Sequence, residues 1–156
     1  MELISRIVCL VGVDHRIQYA NNASRAEWLA IVASFEEHLV ALAESIRADL
    51  VAEEFNEEAL AMNLTNYCTA RSAATRANCP HLFCEPPRAW RIGKDDSLVS
   101  DRESYWVQQI VGSGASRIIF LCGDDHLESC KSMLTAAEFE VVIDSKSWGA
   151  EWPYVP

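Results

Sequence analysis

Residues 116–134 read SRIIFLCGDDHLESCKSML. Ile118 to Cys122 form an unbroken apolar run that stops at Gly123, and His126 follows it closely; Leu127, Cys130, Met133 and Leu134 then recur at helical spacing. An apolar run without a polar alternate face belongs to a strand covered on both sides, as in a parallel sheet. The stretch therefore predicts a strand, a charged turn and an amphipathic helix in direct succession.

The N-terminal region repeats that order. RIVCLVG (6–12) is an apolar run closed by Gly12, with His15 following at the same Gly-x-x-His spacing. Residues 24–50 then carry Trp28, Ile31, Val32, Phe35, Leu39, Leu42 and Ile46 on one helical face, with Ser24 and Glu27 spaced as a capping box. DLVAEE (49–54) reads as a short strand, residues 56–64 and 66–78 as two modest helices, and HLFCEPP (81–87) as a strand stopped by Pro86 and Pro87. Residues 88–100 read as irregular chain with a helical turn. Residues 100–114 read as a helix with Ser100 and Glu103 as a second capping box and glycines at its end. FEVVID (139–144) supplies a last strand.

Strands alternating with helices define an α/β fold, here a three-layer sandwich with a largely parallel central sheet of about five strands. The 156 residues, half of them apolar, suit a single domain over 1–156. The tail SKSWGAEWPYVP (145–156), with Trp148, Trp152 and Tyr154, is expected to pack loosely or to contact a partner.

Composition excludes several function classes. No apolar run approaches the roughly 18 residues of a membrane-spanning helix, and MELISRIVCLVGV lacks a basic leader and a cleavage site. The six cysteines fall mostly inside expected strands and helices, which points to a reducing, cytoplasmic setting rather than a disulfide framework. A net charge of −10 with scattered Lys and Arg opposes nucleic-acid binding. The expected partners are a small-molecule or peptide substrate, without nucleic acid or membrane, and the chain's shortness leaves room for a homo-oligomer to complete the site.

In a parallel sheet the loops after the strand carboxyl ends converge on one edge, where ligands bind. That edge should collect Asp14, His15 and Arg16, then Glu53 and Glu54, then Asp124, Asp125 and His126, beside a helix that begins Asp101, Arg102, Glu103. Imidazoles with carboxylates are a suitable ligand set for Zn²⁺, Mn²⁺ or a similar ion. Each glycine is expected to let the chain turn sharply off its strand. The plainer readings are a surface histidine, acids that favour a following helix N-terminus, and an arginine held in a structural salt bridge. Cys79, His81 and Cys84 in CPHLFC resemble half a zinc site but lack a matching second pair, His38 reads as a helix-surface residue, and GSGAS has neither a nucleophile elbow nor a phosphate-loop lysine.

Taken in order, VGVDH with His15, DLVAEE with Glu53, SDRESYW with Arg102 and IIFLCGDDHLESCKSML with His126 resemble one superfamily. It joins TraB/PrgY-like proteins, Tiki metalloproteases, ChaN-like haem-binding proteins and erythromycin esterases. The resemblance spans nearly the whole chain through short motifs. It implies a metal-dependent or histidine-and-carboxylate hydrolase-like site of peptidase or esterase type. In Tiki-like members such motifs accompany divalent-metal peptidase activity, and in the esterase branch a histidine acts as general base on water. The chain is shorter than the usual members, and has Glu103 where Asn or Asp is more usual after the arginine. On this reading His15, Glu53 and His126 hold a divalent ion (Mn, Zn or Co) or activate water. Glu54 is the general base or a fourth ligand, and Arg102 stabilises an anionic group. The alternatives are a non-catalytic ligand- or haem-binding module, and a regulatory protein-interaction domain.

Overall fold

The apolar runs become the centre of a parallel sheet. In the computed structural model, which describes residues 5–21, 24–95 and 98–152, strand β1 (Ile7–Val13) pairs in parallel with β6 (Arg117–Gly123) on one side and β7 (Glu140–Trp148) on the other. β3 (Leu50–Glu53) pairs in parallel with β6 and with β5 (His81–Phe83), giving a five-stranded sheet in the order β5-β3-β6-β1-β7. The central strands account for the unbroken hydrophobicity: every residue from Ile118 to Cys122 is fully buried, because both faces are covered.

Alternation along the strands divides the core into two layers. Val11, Val13, Val51, Ile119 and Leu121 pack with α1 (Ala26–Ile46) and α3 (Thr69–Arg76). Val8, Leu10, Leu50, Ala52, Ile118, Phe120 and Cys122 pack with α4 (Leu98–Gly112) and α5 (Leu127–Ala136). The result is an α/β three-layer sandwich. Between β3 and β5 lie the short α2 (Glu57–Met62) and β4 (Tyr67–Cys68), which pairs antiparallel with β2 (Tyr19–Ala20). Among the described residues no helix is long and apolar enough to cross a membrane.

Both expected capping boxes fail, the first to a local turn and the second to a tertiary contact. α1 starts at Ala26 with Arg25 at the cap and no side-chain cap bond, because the Ser24 hydroxyl accepts the backbone N–H of Asn21 at 3.1 Å instead. α4 starts at Leu98, so Ser100 lies within its first turn, and Glu103 is buried against His126 and Ser129 rather than folded back on its own helix.

Strand β7 also outlasts FEVVID and runs on through Trp148. Trp148 packs on Phe35 and His38 with ring centroids 5.1 and 4.9 Å apart, and Trp152 packs on Trp28 at 5.6 Å. The start of the aromatic tail is thus laid against α1, while Tyr154 lies outside the described residues. His38, on the surface of α1, bonds Asp144 of β7 at 2.7 Å and joins helix to edge strand.

Candidate functional site at the carboxyl edge of the sheet

His15 opens a single 3₁₀ turn (His15–Gln18) directly after β1. Asp14 caps that turn by accepting the Arg16 N–H at 3.0 Å, and the Arg16 guanidinium grips both its oxygens at 2.9 Å. Burial alone would raise the Asp14 carboxyl, but these bonds outweigh it and hold it below the ordinary range. Asp14 is therefore spent on the turn that presents His15. Asp124 is likewise spent on Ser147 of β7, whose N–H and hydroxyl it accepts at 2.9 and 2.5 Å. Asp125 is exposed.

Glu54 stands at the centre. It is the first residue past β3, and the backbone bond from its N–H to Leu121 O at 2.8 Å keeps it in register with β6. Its Oε2 accepts the Gly123 N–H at 2.9 Å and its Oε1 accepts Arg102 Nη2 at 2.8 Å. His15 Nε2 and His126 Nε2 approach the same Oε1 at 3.6 and 3.7 Å. The Glu54 side chain is 2% exposed, that of His126 15% and that of His15 50%, so His15 is the group that meets solvent.

The tautomers follow from the partners of the other ring nitrogens. His126 Nδ1 lies 2.7 Å from Glu103 Oε1, whose second oxygen takes Ser129 Oγ at 2.5 Å. A carboxylate only accepts, so Nδ1 carries a proton, and in the neutral ring Nε2 presents its lone pair towards Glu54. The edge of the Trp106 ring system against the imidazole, with centroids 5.0 Å apart, completes its seat. His15 Nδ1 lies 2.7 Å from Gln18 Oε1. Gln18 Nε2 is committed to Glu53 Oε2 at 2.8 Å, so His15 also keeps its Nε2 bare.

Arg102 links the centre to Glu85, which it contacts through Nε at 2.9 Å and Nη2 at 3.0 Å. Glu85 also accepts Trp106 Nε1 at 2.9 Å and Arg91 Nη2 at 2.5 Å. Burial would lower the Arg102 pKa, but Glu85 and Glu54 more than offset it, and the guanidinium stays charged. A pocket of about 800 Å³ opens above these groups. Its walls include His15, Glu54, Arg88 and Arg102, and the apolar Phe55 and Ile92.

Four of the residues singled out from the sequence, His15, Glu54, Arg102 and His126, meet here. Glu53 does not. As the residue two after Val51 it points into the α1/α3 layer, fully buried, with Cys68 Sγ at 2.8 Å and His81 Nε2 at 2.6 Å. The expected ligand set His15, Glu53, His126 therefore does not gather around one ion, because neighbouring strand residues face opposite sides. Glu54 occupies the position expected of Glu53.

Glu85 and Gln18 are not among the residues expected at this edge, and Glu103 is expected there only as part of the helix start beside Arg102. Glu85 carried the same strand-end signal as Glu54, immediately before Pro86. Glu103 has the spacing of a helix cap as well as its place on the rim, and Gln18 carries no signal beyond its place in the turn after His15.

Neither Gly12 nor Gly123 has a positive φ, and it is Gly12 that space requires. A Cβ on Gly12 would collide with Asp124 Oδ1 and stand 2.9 Å from both Leu127 Cδ1 and Lys146 Cβ. A Cβ on Gly123 would meet His126 Cδ2 and His15 Nε2 at 3.5 Å each, ordinary contact distances that lie inside the site.

Comparison of the chain with protein-family models, with curated proteins and with solved structures found no match.

Proposed function

We propose that this chain is a hydrolase-like protein of the TraB/PrgY, Tiki, ChaN-like and erythromycin esterase superfamily, in which His15 takes a proton from the attacking water. The observation that carries the reading is the His15 imidazole itself. Its Nδ1 is bonded to Gln18 and its bare, half-exposed Nε2 lines the pocket 3.6 Å from the buried Glu54 carboxylate. A base needs a free lone pair at the substrate, and an anion close to the ring, here Glu54 on the Nε2 side, stabilises the imidazolium as it forms. Arg102, on the pocket floor, holds Glu54 in place and offers positive charge to a developing oxyanion. The apolar Phe55 and Ile92 beside Arg88 suit a small-molecule or peptide ester or amide with an apolar portion and an anionic group.

A divalent ion (Mn, Zn or Co) held by both imidazoles is the second reading. It is favoured by the partnering of each Nδ1, the arrangement that ligating histidines carry. Glu54 Oε1 would then be shared between the ion and Arg102. Such an ion would supply a more acidic bound water. All six cysteines stand as free thiols, which suits a reducing, cytoplasmic setting.

Purified tag-free protein, with His15→Ala and Glu54→Gln, should be assayed against a series of acyl esters and peptides. Turnover that falls about 100-fold or more in His15→Ala, and survives metal chelation, supports the first reading. Turnover lost on chelation and restored by added ion supports the second. Equal turnover in wild type and His15→Ala, or none in either, overturns the hydrolase reading.

A further inference from the structure

We propose that Glu53, Cys68 and His81 form a separate binding site for a soft divalent cation, with Zn²⁺ the best fit. The site lies beneath the sheet edge, in the α1/α3 layer, and its three ligands take no part in the Glu54 centre, to which Gln18 joins it. The inference goes beyond the hydrolase reading and does not depend on it.

Three separate strands supply the donors. Glu53 ends β3, Cys68 ends β4 and His81 begins β5. Their ligating atoms all lie within 4.8 Å of one another, and among the described residues this is the trio of His, Cys and acidic groups that gathers so closely. Cys68 and Glu53 are almost completely shielded from solvent, and the His81 side chain retains 8% exposure, which leaves the ion a route in past the imidazole.

The distances separate the proton-held form from the metal-held form. Cys68 Sγ and His81 Nε2 stand 4.0 Å apart, close to the separation of about 3.6 Å for a thiolate and an imidazole on one tetrahedral zinc. Glu53 Oε1 sits nearer to both, at 2.8 Å from Sγ and 2.6 Å from Nε2, as an acceptor of their protons. Withdrawal of that oxygen by about 0.8 Å would open the space for an ion with ordinary bond lengths. Gln18 is already in place as the outer partner that fixes the second carboxylate oxygen, at 2.8 Å.

The chemistry of the donors selects the metal. A thiolate with an imidazole and a carboxylate suits Zn²⁺ or Co²⁺ and disfavours Mg²⁺ and Ca²⁺, which take oxygen ligands. Cys68 is also the N-cap of α3, with its sulfur accepting the Arg71 N–H at 3.5 Å, so the amino end of the helix favours the thiolate that the ion requires. A dication displaces the Cys68 thiol proton to solvent and takes the place of the His81 Nε2 proton, the neutral ring then carrying its proton on Nδ1, and its two charges balance the thiolate and the buried carboxylate.

Cobalt tests this directly. Full-length tag-free protein with one equivalent of Co²⁺ should show a near-ultraviolet sulfur-to-cobalt absorption band, absent in Cys68→Ser and retained in His126→Ala. No band in the wild type, or an equal band in Cys68→Ser, overturns the proposal. His81→Gln guards against misfolding, since an amide can still donate to Glu53. Zn²⁺ at about a hundred times its dissociation constant should raise the wild-type melting temperature by about 5–10 °C and leave that of His81→Gln unchanged. An equal rise in both overturns the proposal as well.

Discussion

Gln18 donates its amide N–H to Glu53 Oε2 at 2.8 Å, and this bond fixes which way the Gln18 carbonyl faces. A carboxylate has no proton to give back, so the amide carbonyl must point at His15 Nδ1, 2.7 Å away. The chain His81–Glu53–Gln18–His15 therefore runs from the buried α1/α3 layer to the pocket, and Glu53 bears on His15 through Gln18 rather than beside it.

Gln18→Leu should release that hold. Glu53 loses one of its buried donors, which costs about 1–3 kcal/mol of stability, and the His15 ring loses the partner that sets its tautomer. Imidazole nitrogen shifts in NMR spectra should show a single tautomer with Nε2 bare in the wild type and a mixture in the variant. An unchanged His15 signal would mean that Gln18 does not position the ring.

The two Gly-x-x-His glycines should respond differently to alanine. Gly123→Ala puts a methyl group 3.5 Å from both His126 Cδ2 and His15 Nε2. The fold should tolerate this within about 0.5 kcal/mol, and on the proposed hydrolase reading turnover should fall because the methyl group stands beside His15 Nε2. Gly12→Ala forces Asp124 and Leu127 aside and should cost about 1–3 kcal/mol. Urea midpoints beside initial rates test the contrast, and equal loss of stability at both positions contradicts it.

Removing Arg102 exposes the cost of buried acids. The Glu54 and Glu85 side chains are only 2% and 7% exposed and share this guanidinium. Arg102→Ala should therefore destabilise the protein by about 3–5 kcal/mol, and Arg102→Lys by an intermediate amount, because an ammonium cannot bridge both carboxylates with fork geometry. Chemical denaturation measures both, and a near-neutral Arg102→Ala would falsify the central role given to this pair.

The pH profile of stability should have a separate source away from the pocket. Glu36 on α1 accepts the Tyr67 hydroxyl, Ser72 Oγ at 2.6 Å and Arg76 Nη1 at 3.2 Å. Burial works to raise its carboxyl, but those bonds prevail and lower it. The same contact, together with burial as the larger cause, pushes the Tyr67 phenol up to about 12. Glu36 therefore contributes stability that is present above the usual carboxylate pKa of about 4 and is lost as pH falls through its lowered value. Tyr67 contributes stability present below about pH 10 and lost as pH rises towards 12. Tyr67→Phe should cost about 1.5 kcal/mol at neutral pH and Glu36→Gln should weaken the acid dependence. Melting curves from pH 3 to 12 that superimpose for wild type and both variants would rule this out.

Local pattern determined much of this protein. The uninterrupted runs at Ile118–Cys122 and in RIVCLVG already specify doubly covered parallel strands. The strand-end rule places His15, Glu54 and His126 on one rim, because parallel strands all deliver their carboxyl ends to the same edge. Tertiary structure decided the remaining assignments. Glu53 and Glu54 adjoin in sequence and look alike as ligands, yet the pleat sends one into each layer. Ser100 and Glu103 have the spacing of a capping box, but the His126 imidazole, brought over from another βα unit, captures the carboxylate first. Cys68 and His81 join Glu53 only because the two-residue strand β4 pairs with β2 and β5 lies beside β3. Local propensity acts over a few residues, whereas these partners lie 15 and 28 positions from Glu53, and only the packing of the layers brings them within bonding distance.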